Sequence, residues 1–318
     1  MSLHHMPRSS LGGRMSGTAQ LADLYSDVEE SARLLDVTCS RDKIWPVLTA
    51  YEDVLPQALI AFRVATNKRH EGEFDCRFTV PTHVDPYVRA RSAGLITETG
   101  HPVELLLSDI EQRCPVDLYG VDFGVVGGFR KTWVYFPESE YQSLSKLCGI
   151  PSMPRSLASN ASFFADRGLD DRVDVIGIDH HSRTVNLYFT EFPAELREPQ
   201  ALLTMHRDIG IPDPSEQMLR FCEKAFGFYA TLNWDTAKIE RIAFSVKTQD
   251  PLSLPARLGP KIERFVRSVP YGVDDPKMVY AAMTKSGEEY YKLQSYYRFR
   301  PRSRLDLMPS ADAAADAA

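Results

Sequence analysis

GEFDCRFTVP, residues 72–81, alternates in polarity along its length. On an extended strand successive side chains point to opposite sides. Phe74, Cys76, Phe78 and Val80 therefore share one face, and Glu73, Asp75, Arg77 and Thr79 share the other. The apolar face calls for a cover of other elements. The second face carries an acid and a base together, so it either meets solvent or lines an enclosed space where its charges need a ligand. The neighbouring sequence bears on that choice.

Extended segments arrive in pairs: 58–66 with 73–81, 115–124 with 127–137, 172–180 with 183–192, 226–233 with 238–247, and 277–285 with 289–300. Short polar or glycine-bearing connections such as VVGG (125–128), DHHS (179–182) and NWDTA (233–237) divide the members of a pair, as in β-hairpins. Amphipathic stretches fall between the hairpins, at 21–35, 42–58, 103–112, 158–166, 216–225 and 258–268; in the first of them Leu21, Leu24 and Val28 recur at helical spacing. A helix-then-hairpin unit thus repeats about every 50–60 residues. A parallel β-α-β sheet would instead alternate single strands with helices.

Ten antiparallel strands of this kind can close into one barrel, with helices packed outside on the apolar faces and the other faces lining a lumen. The expected fold is α+β: a ten-stranded antiparallel β-barrel built from five αββα units around a ligand-filled lumen. The alternative is an open α+β sandwich with one wet face. The first fourteen residues, MSLHHMPRSSLGGR, read as an expression tag, 15–304 as one barrel domain, and 305–318 as a disordered tail.

Composition narrows the function. The 318 residues are 43% hydrophobic and 25% charged, with no apolar run long enough to span a bilayer. A formal charge of −6 gives no global attraction to nucleic acid or acidic lipid, so a bound anion needs a local cluster of cations. Cys39, Cys76, Cys114, Cys148 and Cys222 are scattered and odd in number, which suits reduced thiols in the cytoplasm.

Strand parity supplies the cluster. Lys131 shares its face with Phe129, Trp133 and Tyr135; Asn186 with Thr184, Tyr188 and Thr190; Arg241 with Ala243, Ser245 and Lys247. Lys292 goes with Tyr290, Gln294, Tyr296 and Arg298, and Arg63 with Ala61 and Ala65. An enclosed cation without a counter-ion is costly, so several converging cations call for an anion such as diphosphate. Tyrosine and tryptophan faces beside it stabilise positive charge. A site that holds an anion and shelters a cation suits ionisation of an allylic diphosphate.

The segments RDKIWPVL, TGHPV, GGFRKT, IPSMP, VNLYF, TLNWDTAKIER and EEYYKL resemble those of the bacterial ABBA-type aromatic prenyltransferases, the NphB/CloQ family, over about residues 19–300. The resemblance implies a ten-stranded barrel that joins a dimethylallyl or geranyl group to a carbon of an electron-rich aromatic ring in secondary metabolism. It implies that Lys131, Asn186, Arg241 and Lys292 hold the diphosphate, with Tyr229 and Tyr188 beside them, and that Asp75 matches a magnesium-binding aspartate. Trp133, Phe226, Gln294 and Tyr296 would hold a flat acceptor.

Three departures stand out. Arg63 occupies the place of a small family serine, Gly227 that of a serine at the acceptor, and Asp174 that of a glutamine nearby. Arg63 joins the diphosphate-binding set and leaves two readings of the charge balance, Mg2+ on Asp75 or a guanidinium in its stead. It also favours the five-carbon donor, dimethylallyl diphosphate. A phenazine carboxylic acid, a naphthol or a phenol such as a hydroxybenzoate suits the acceptor, with Arg63 or Arg298 to meet a carboxylate. No organic cofactor, nucleic acid or membrane partner is expected, and the chain is read as a monomer. The rival reading is a non-catalytic barrel that binds a small aromatic or phosphorylated ligand.

Three patterns carry less. DDRVD (170–174) matches an isoprenoid-synthase motif that needs a helix, but it enters a β-rich segment; His180 and His181 fall in a hairpin turn; the arginines at 298, 300, 302 and 304 read as a solvated strand end.

Overall fold

Burial of one face of every strand organises the molecule, a computed structural model that describes residues 17–66, 74–138, 140–269 and 275–299. The strands are β1 (Ile60–Ala65), β2 (Phe74–Val80), β3 (Leu118–Gly124), β4 (Gly128–Tyr135), β5 (Val175–Asp179), β6 (Thr184–Phe189), β7 (Gly227–Asn233), β8 (Arg241–Thr248), β9 (Lys277–Thr284) and β10 (Glu289–Tyr297). Each pairs antiparallel with its neighbours in sequence, and β10 returns to β1, Tyr297 opposite Ile60 and Lys292 opposite Ala65. The sheet closes, so no strand edge is left exposed.

The outer faces build one continuous core. Phe62, Phe78, Val121, Val134, Ile178, Leu187, Phe228, Phe244, Val279 and Leu293, one from each strand, are at most 1% exposed. Helices cover them: α1 (Gly17–Leu34), α2 (Arg41–Ala50), α3 (Pro86–Ser92), α4 (Leu106–Glu111), α5 (Leu144–Cys148), α6 (Ser156–Ser159), α7 (Ala161–Ala165), α8 (Pro199–Asp208), α9 (Glu216–Cys222) and α10 (Gly259–Ser268). On α1 the stripe Leu21, Leu24, Val28 and Ala32 is buried. Asp85 caps α3 by accepting from the N–H groups of Tyr87 and Val88, with Pro86 in the first turn.

The five hairpins lie where polarity alternation puts them, with strand ends at most three residues short of the expected bounds and β8 running one residue further, to Thr248. The segments at 42–58 and 158–166 are broken: α2 gives way to a 3-10 turn at Leu55–Gln57, and α6 and α7 part at Asn160. Helices α3, α5 and α8 lie outside the helical stretches read from the sequence. The first two are only 7 and 5 residues long, too short to show a period. DDRVD is not helical; it forms a turn and an isolated bridge from Val173 to Gln142.

One irregularity re-aims side chains on the inner face. The pairing of β3 with β4 shifts between Asp122 and Phe123, which face Lys131 and Phe129, so Arg130 is an extra residue. This bulge breaks the parity that would place Phe129 beside Lys131. Phe129 packs with the outer core, near the His180 ring, while Arg130 and Lys131 both line the internal cavity.

Also on the inner face, Gly120 and Gly177 form a notch for Trp133. A Cβ on Gly177 would lie 2.7 Å from Trp133 Cζ3, and one on Gly120 3.2 Å from Trp133 Cβ. Gly177→Ala is expected to destabilise the protein by about 1–3 kcal/mol in chemical denaturation, as overpacking does. An unchanged midpoint would show that the indole leaves the notch at no cost.

Candidate active site

Inner-face side chains of all ten strands converge, and the barrel closes them into two ends. At the end bearing the hairpin connections lies a cavity of about 340 Å3, lined by Arg63, Asp75, Arg130, Lys131, Asp179, Thr231, Arg241 and Lys292, with Ser182, Lys285 and Ser286 at its rim. Arg77 and Asp122 lie on the same inner face, beneath it. An open cleft of about 490 Å3, lined by Thr66, Arg220, Arg257, Glu289 and Tyr291 among others, lies elsewhere and lacks this convergence of cations.

Four of the cations are neutralised in place. Arg63 Nη2 donates to Asp75 Oδ2 at 2.9 Å and to Asp122 Oδ2 at 2.8 Å. Arg77 donates to both oxygens of Asp122, at 2.7 and 3.2 Å, and Asp122 Oδ1 also accepts from the Trp133 indole N–H at 2.8 Å. Lys131 Nζ lies 3.1 Å and Arg130 Nε 3.4 Å from Asp179 Oδ2. Burial pushes the carboxyls of Asp122 and Asp179 up, but their cations prevail and hold both far below the ordinary carboxylate range.

Arg241 and Lys292 differ. Among the described residues neither has a carboxylate partner. Arg241 Nη2 donates to Thr231 Oγ1 at 3.0 Å, Thr231 donates to Asn186 Oδ1 at 2.7 Å, and the Arg241 Nε finds no acceptor. Lys292 Nζ reaches only the Tyr229 hydroxyl, at 3.4 Å, and lies 5.4 Å from the Tyr290 ring centroid. Burial, then the fields of Arg241, Arg63, Lys131 and Arg130, lower the Lys292 ammonium well below its usual range.

Below the cavity the lumen is aromatic. Tyr188 and Tyr229 stack with centroids 4.6 Å apart, Trp133 approaches Tyr188 at 5.3 Å, and Tyr280 meets Tyr229 edge-on at 6.2 Å. Ala243 and Ala282 pack with Tyr229 and Tyr290. One face of Trp133 is covered, because the Arg77 guanidinium carbon sits 3.7 Å from its centroid.

Lys131, Asn186, Arg241, Lys292, Arg63, Tyr188, Tyr229 and Asp75, read from separate strands, are thus brought together. Gln294 and Tyr296 share the inner face of β10, and Gln294 Oε1 is buried without a partner. Gly227 leaves room for Ser245 Oγ, which a Cβ would approach to 2.6 Å. Asp174 and Phe226 lie just before β5 and β7, at the end opposite the hairpins. Their parity matches Ile176 and Phe228 on the outer faces, so strand position alone does not carry them to the lumen. Arg298 is taken by Asp275 at 2.9 Å, and the arginines at 300, 302 and 304 lie outside the described residues. His180 stacks on Tyr87 and meets Thr132, while His181 is exposed, so the two do not share a ligand. Sequence reasoning passes over Asp122, Asp179 and Arg130. A signal exists for the acids, each the lone charge in an apolar strand, LYGVDFG and VIGID; for Arg130 only the bulge reveals it.

Burial pushes the Asp174 carboxyl up to about 6 from its ordinary 3.8. A carboxyl raised on folding binds its proton more tightly in the native state, so stability rises as pH falls through about 6 toward the ordinary value. Asp174→Asn is expected to remove that rise, read by denaturation at pH values on either side. Asp122→Asn, which leaves Arg63 and Arg77 less than neutralised, is expected to cost about 3–5 kcal/mol in the same measurement.

Comparison with known proteins agrees with this arrangement. The model for the family described as aromatic prenyltransferase Orf2 matches residues 19–308. The chain is 64% identical over 293 residues to a flaviolin linalyltransferase of Streptomyces virginiae, covering 92% of this chain and 97% of that one. It is 63% identical over 286 residues to a furaquinocin biosynthesis prenyltransferase of Streptomyces sp. strain KO-3988, covering 90% and 93%. To the 5,10-dihydrophenazine-1-carboxylate 9-dimethylallyltransferase of Streptomyces anulatus it is 45% identical over 300 residues, covering 94% and 100%. A 5-dimethylallyltryptophan synthase of Streptomyces coelicolor shares the fold, with a TM-score of 0.52 at 7% identity over 91% of this chain and 99% of that one. A lumen that gathers cations above stacked tyrosines, in a chain matched along nearly all of its described length, belongs to the Orf2 family of aromatic prenyltransferases, enzymes of secondary metabolism.

Proposed function

We propose that the lumen holds a prenyl diphosphate with its diphosphate among Arg241, Lys292, Lys131, Arg130 and Arg63, its chain along Tyr188, Tyr229 and Tyr280, and a flat acceptor toward Tyr296, Gln294 and Gly227. The observation that carries this reading is the pair of cations on β8 and β10 that lack a carboxylate, set directly above an aromatic wall. Among the described residues six lumen cations face three buried carboxylates, a surplus that suits an ionised alkyl diphosphate.

In the proposed reaction the allylic C–O bond breaks and its electron pair leaves with diphosphate. Lys292, Arg241 and Lys131 stabilise that departing charge. The tyrosine faces shield the allylic cation. A ring carbon of the acceptor forms the new C–C bond, and the ring proton passes to water or diphosphate.

The residues leave one carboxylate oxygen for a Mg2+ that the diphosphate would also have to hold, and two arginines stand beside that carboxylate. Asp75 Oδ2 is engaged by Arg63, and both Asp122 oxygens are engaged by Arg63, Arg77 and Trp133, which leaves Asp75 Oδ1 as the open carboxylate oxygen. Mg2+ is usually held by one or two carboxylates. Among the described residues no group of three metal-binding side chains forms. We infer turnover without metal, with Arg63 and Arg130 supplying the charge.

For the donor, Arg63 is engaged by both Asp75 and Asp122, which supports a reading in which it leaves the lumen open to a longer chain. The 64% identical relative is named for linalyl, a ten-carbon group attached through a tertiary carbon. We therefore propose geranyl diphosphate ahead of dimethylallyl diphosphate, and a hydroxylated naphthoquinone such as flaviolin ahead of a dihydrophenazine carboxylate.

Incubation with each donor and acceptor, read by mass spectrometry, is expected to give a product heavier by one ten-carbon unit. Turnover by dimethylallyl diphosphate alone would reverse the donor preference. Lys292→Ala is expected to lower turnover by about 10²–10³-fold, the scale of losing one transition-state charge contact. The rate with EDTA is expected to match that without it, and abolition by EDTA would restore Asp75 as a metal ligand.

A further inference from the structure

Lys292 is placed unlike any other lumen cation. Arg63, Arg77, Arg130 and Lys131 each have a carboxylate within 4 Å, and Arg241 is a guanidinium that stays protonated whatever surrounds it. Lys292 combines a group able to lose its proton with the lack of a carboxylate partner among the described residues; of the other acids lining the cavity, Glu240 pairs with Lys285 and Glu288 is exposed.

The charged groups packed around it press toward loss of that proton, while the tyrosine rings beside it favour the charged form. From β1 comes Arg63, from β4 Arg130 and Lys131, and from β8 Arg241, all cationic. From β7 and from β10 itself come the Tyr229 and Tyr290 rings, 5.9 and 5.4 Å from the amine, and from β9 comes Tyr280, its partner in register. The buried carboxylates of the lumen, Asp75, Asp122 and Asp179, all face other cations. The shift of the Lys292 ammonium runs in the direction this geometry requires.

We propose that Lys292 is an uncharged amine in the resting enzyme, and that binding of the prenyl diphosphate draws a proton from solvent onto it. The inference rests on the diphosphate site proposed for the lumen and adds a step to it. The proton converts the amine to an ammonium, so the lumen gains one positive charge as the anion arrives. No bond to the ligand forms and none breaks; the proton comes from buffer and returns to it when diphosphate leaves. Lys292 would thus present its full charge when the leaving group occupies the site, and the empty barrel would be spared a sixth enclosed cation.

The test is calorimetric titration of the full chain with geranyl S-thiolodiphosphate, a donor analogue that resists ionisation, in two buffers of different ionisation enthalpy at about pH 8, where an alkyl diphosphate is fully ionised. The dependence of the binding enthalpy on the buffer counts the protons taken up. Uptake of about one proton per ligand is expected. In the same wild-type protein the dissociation constant should weaken by about tenfold per pH unit above the resting titration of the lysine. Lys292→Arg, always charged, is expected to bind the analogue with uptake close to zero. Binding without proton uptake by the wild type, or equal uptake by Lys292→Arg, overturns this inference alone. Absence of binding by the wild type overturns the diphosphate site and the inference with it.

Discussion

Balance of enclosed charge is the constraint on which this barrel depends. A guanidinium taken out of water costs several kcal/mol unless a counter-charge meets it. Six cations point inward among the described residues, and three buried carboxylates, Asp75, Asp122 and Asp179, share the space. Asp122 alone accepts from Arg63, Arg77 and Trp133, so it fixes two cations and an indole at once. That arrangement separates the cations that have a carboxylate partner from the two that, among the described residues, have none. The arginines around Asp122 are held to the wall, and the unmatched Arg241 and Lys292 mark where an anion is needed.

The aromatic wall follows from the same closure. Lumen tyrosines sit on β6, β7 and β9 and, as Tyr290 and Tyr296, on β10, and strand parity stacks Tyr188 on Tyr229 across adjacent strands. Small residues between them, Ala243 and Ala282, keep the interior from filling. Gly120 and Gly177 let Trp133 lie flat against β3 and β5, where Arg77 covers it. The indole thus belongs to the scaffold on that side, and a stacked acceptor is left to the other rings.

Much of this barrel is legible in the order of its residues. Alternation in FDCRFTV and its counterparts is a short-range signal, and ten such strands announce both the barrel and its inner face. The cations at 63, 131, 241 and 292 and the tyrosines at 188 and 229 can be read because each sits at a regular position of its strand. What cannot be read depends on departures from regularity or on partners far away in the chain. Arg130 reaches the cavity only through a bulge, and Phe129 leaves it for the same reason. Arg63 can be read as a cation of the inner face, whereas Asp122, which pairs with it, lies 59 positions on. Short helices such as α3 and α5 hold too few residues to display a period.

The seam between β1 and β10 has a consequence for how the protein comes into being. Residues 60 and 297 are neighbours in space, and pairings of such sequence separation are the slowest to form. Synthesis proceeds from the amino end, so eight of the ten strands precede the last hairpin, which carries Lys292. Until that final plank arrives, the inward arginines face water and cost nothing to host. Enclosure of those cations waits on the last hairpin.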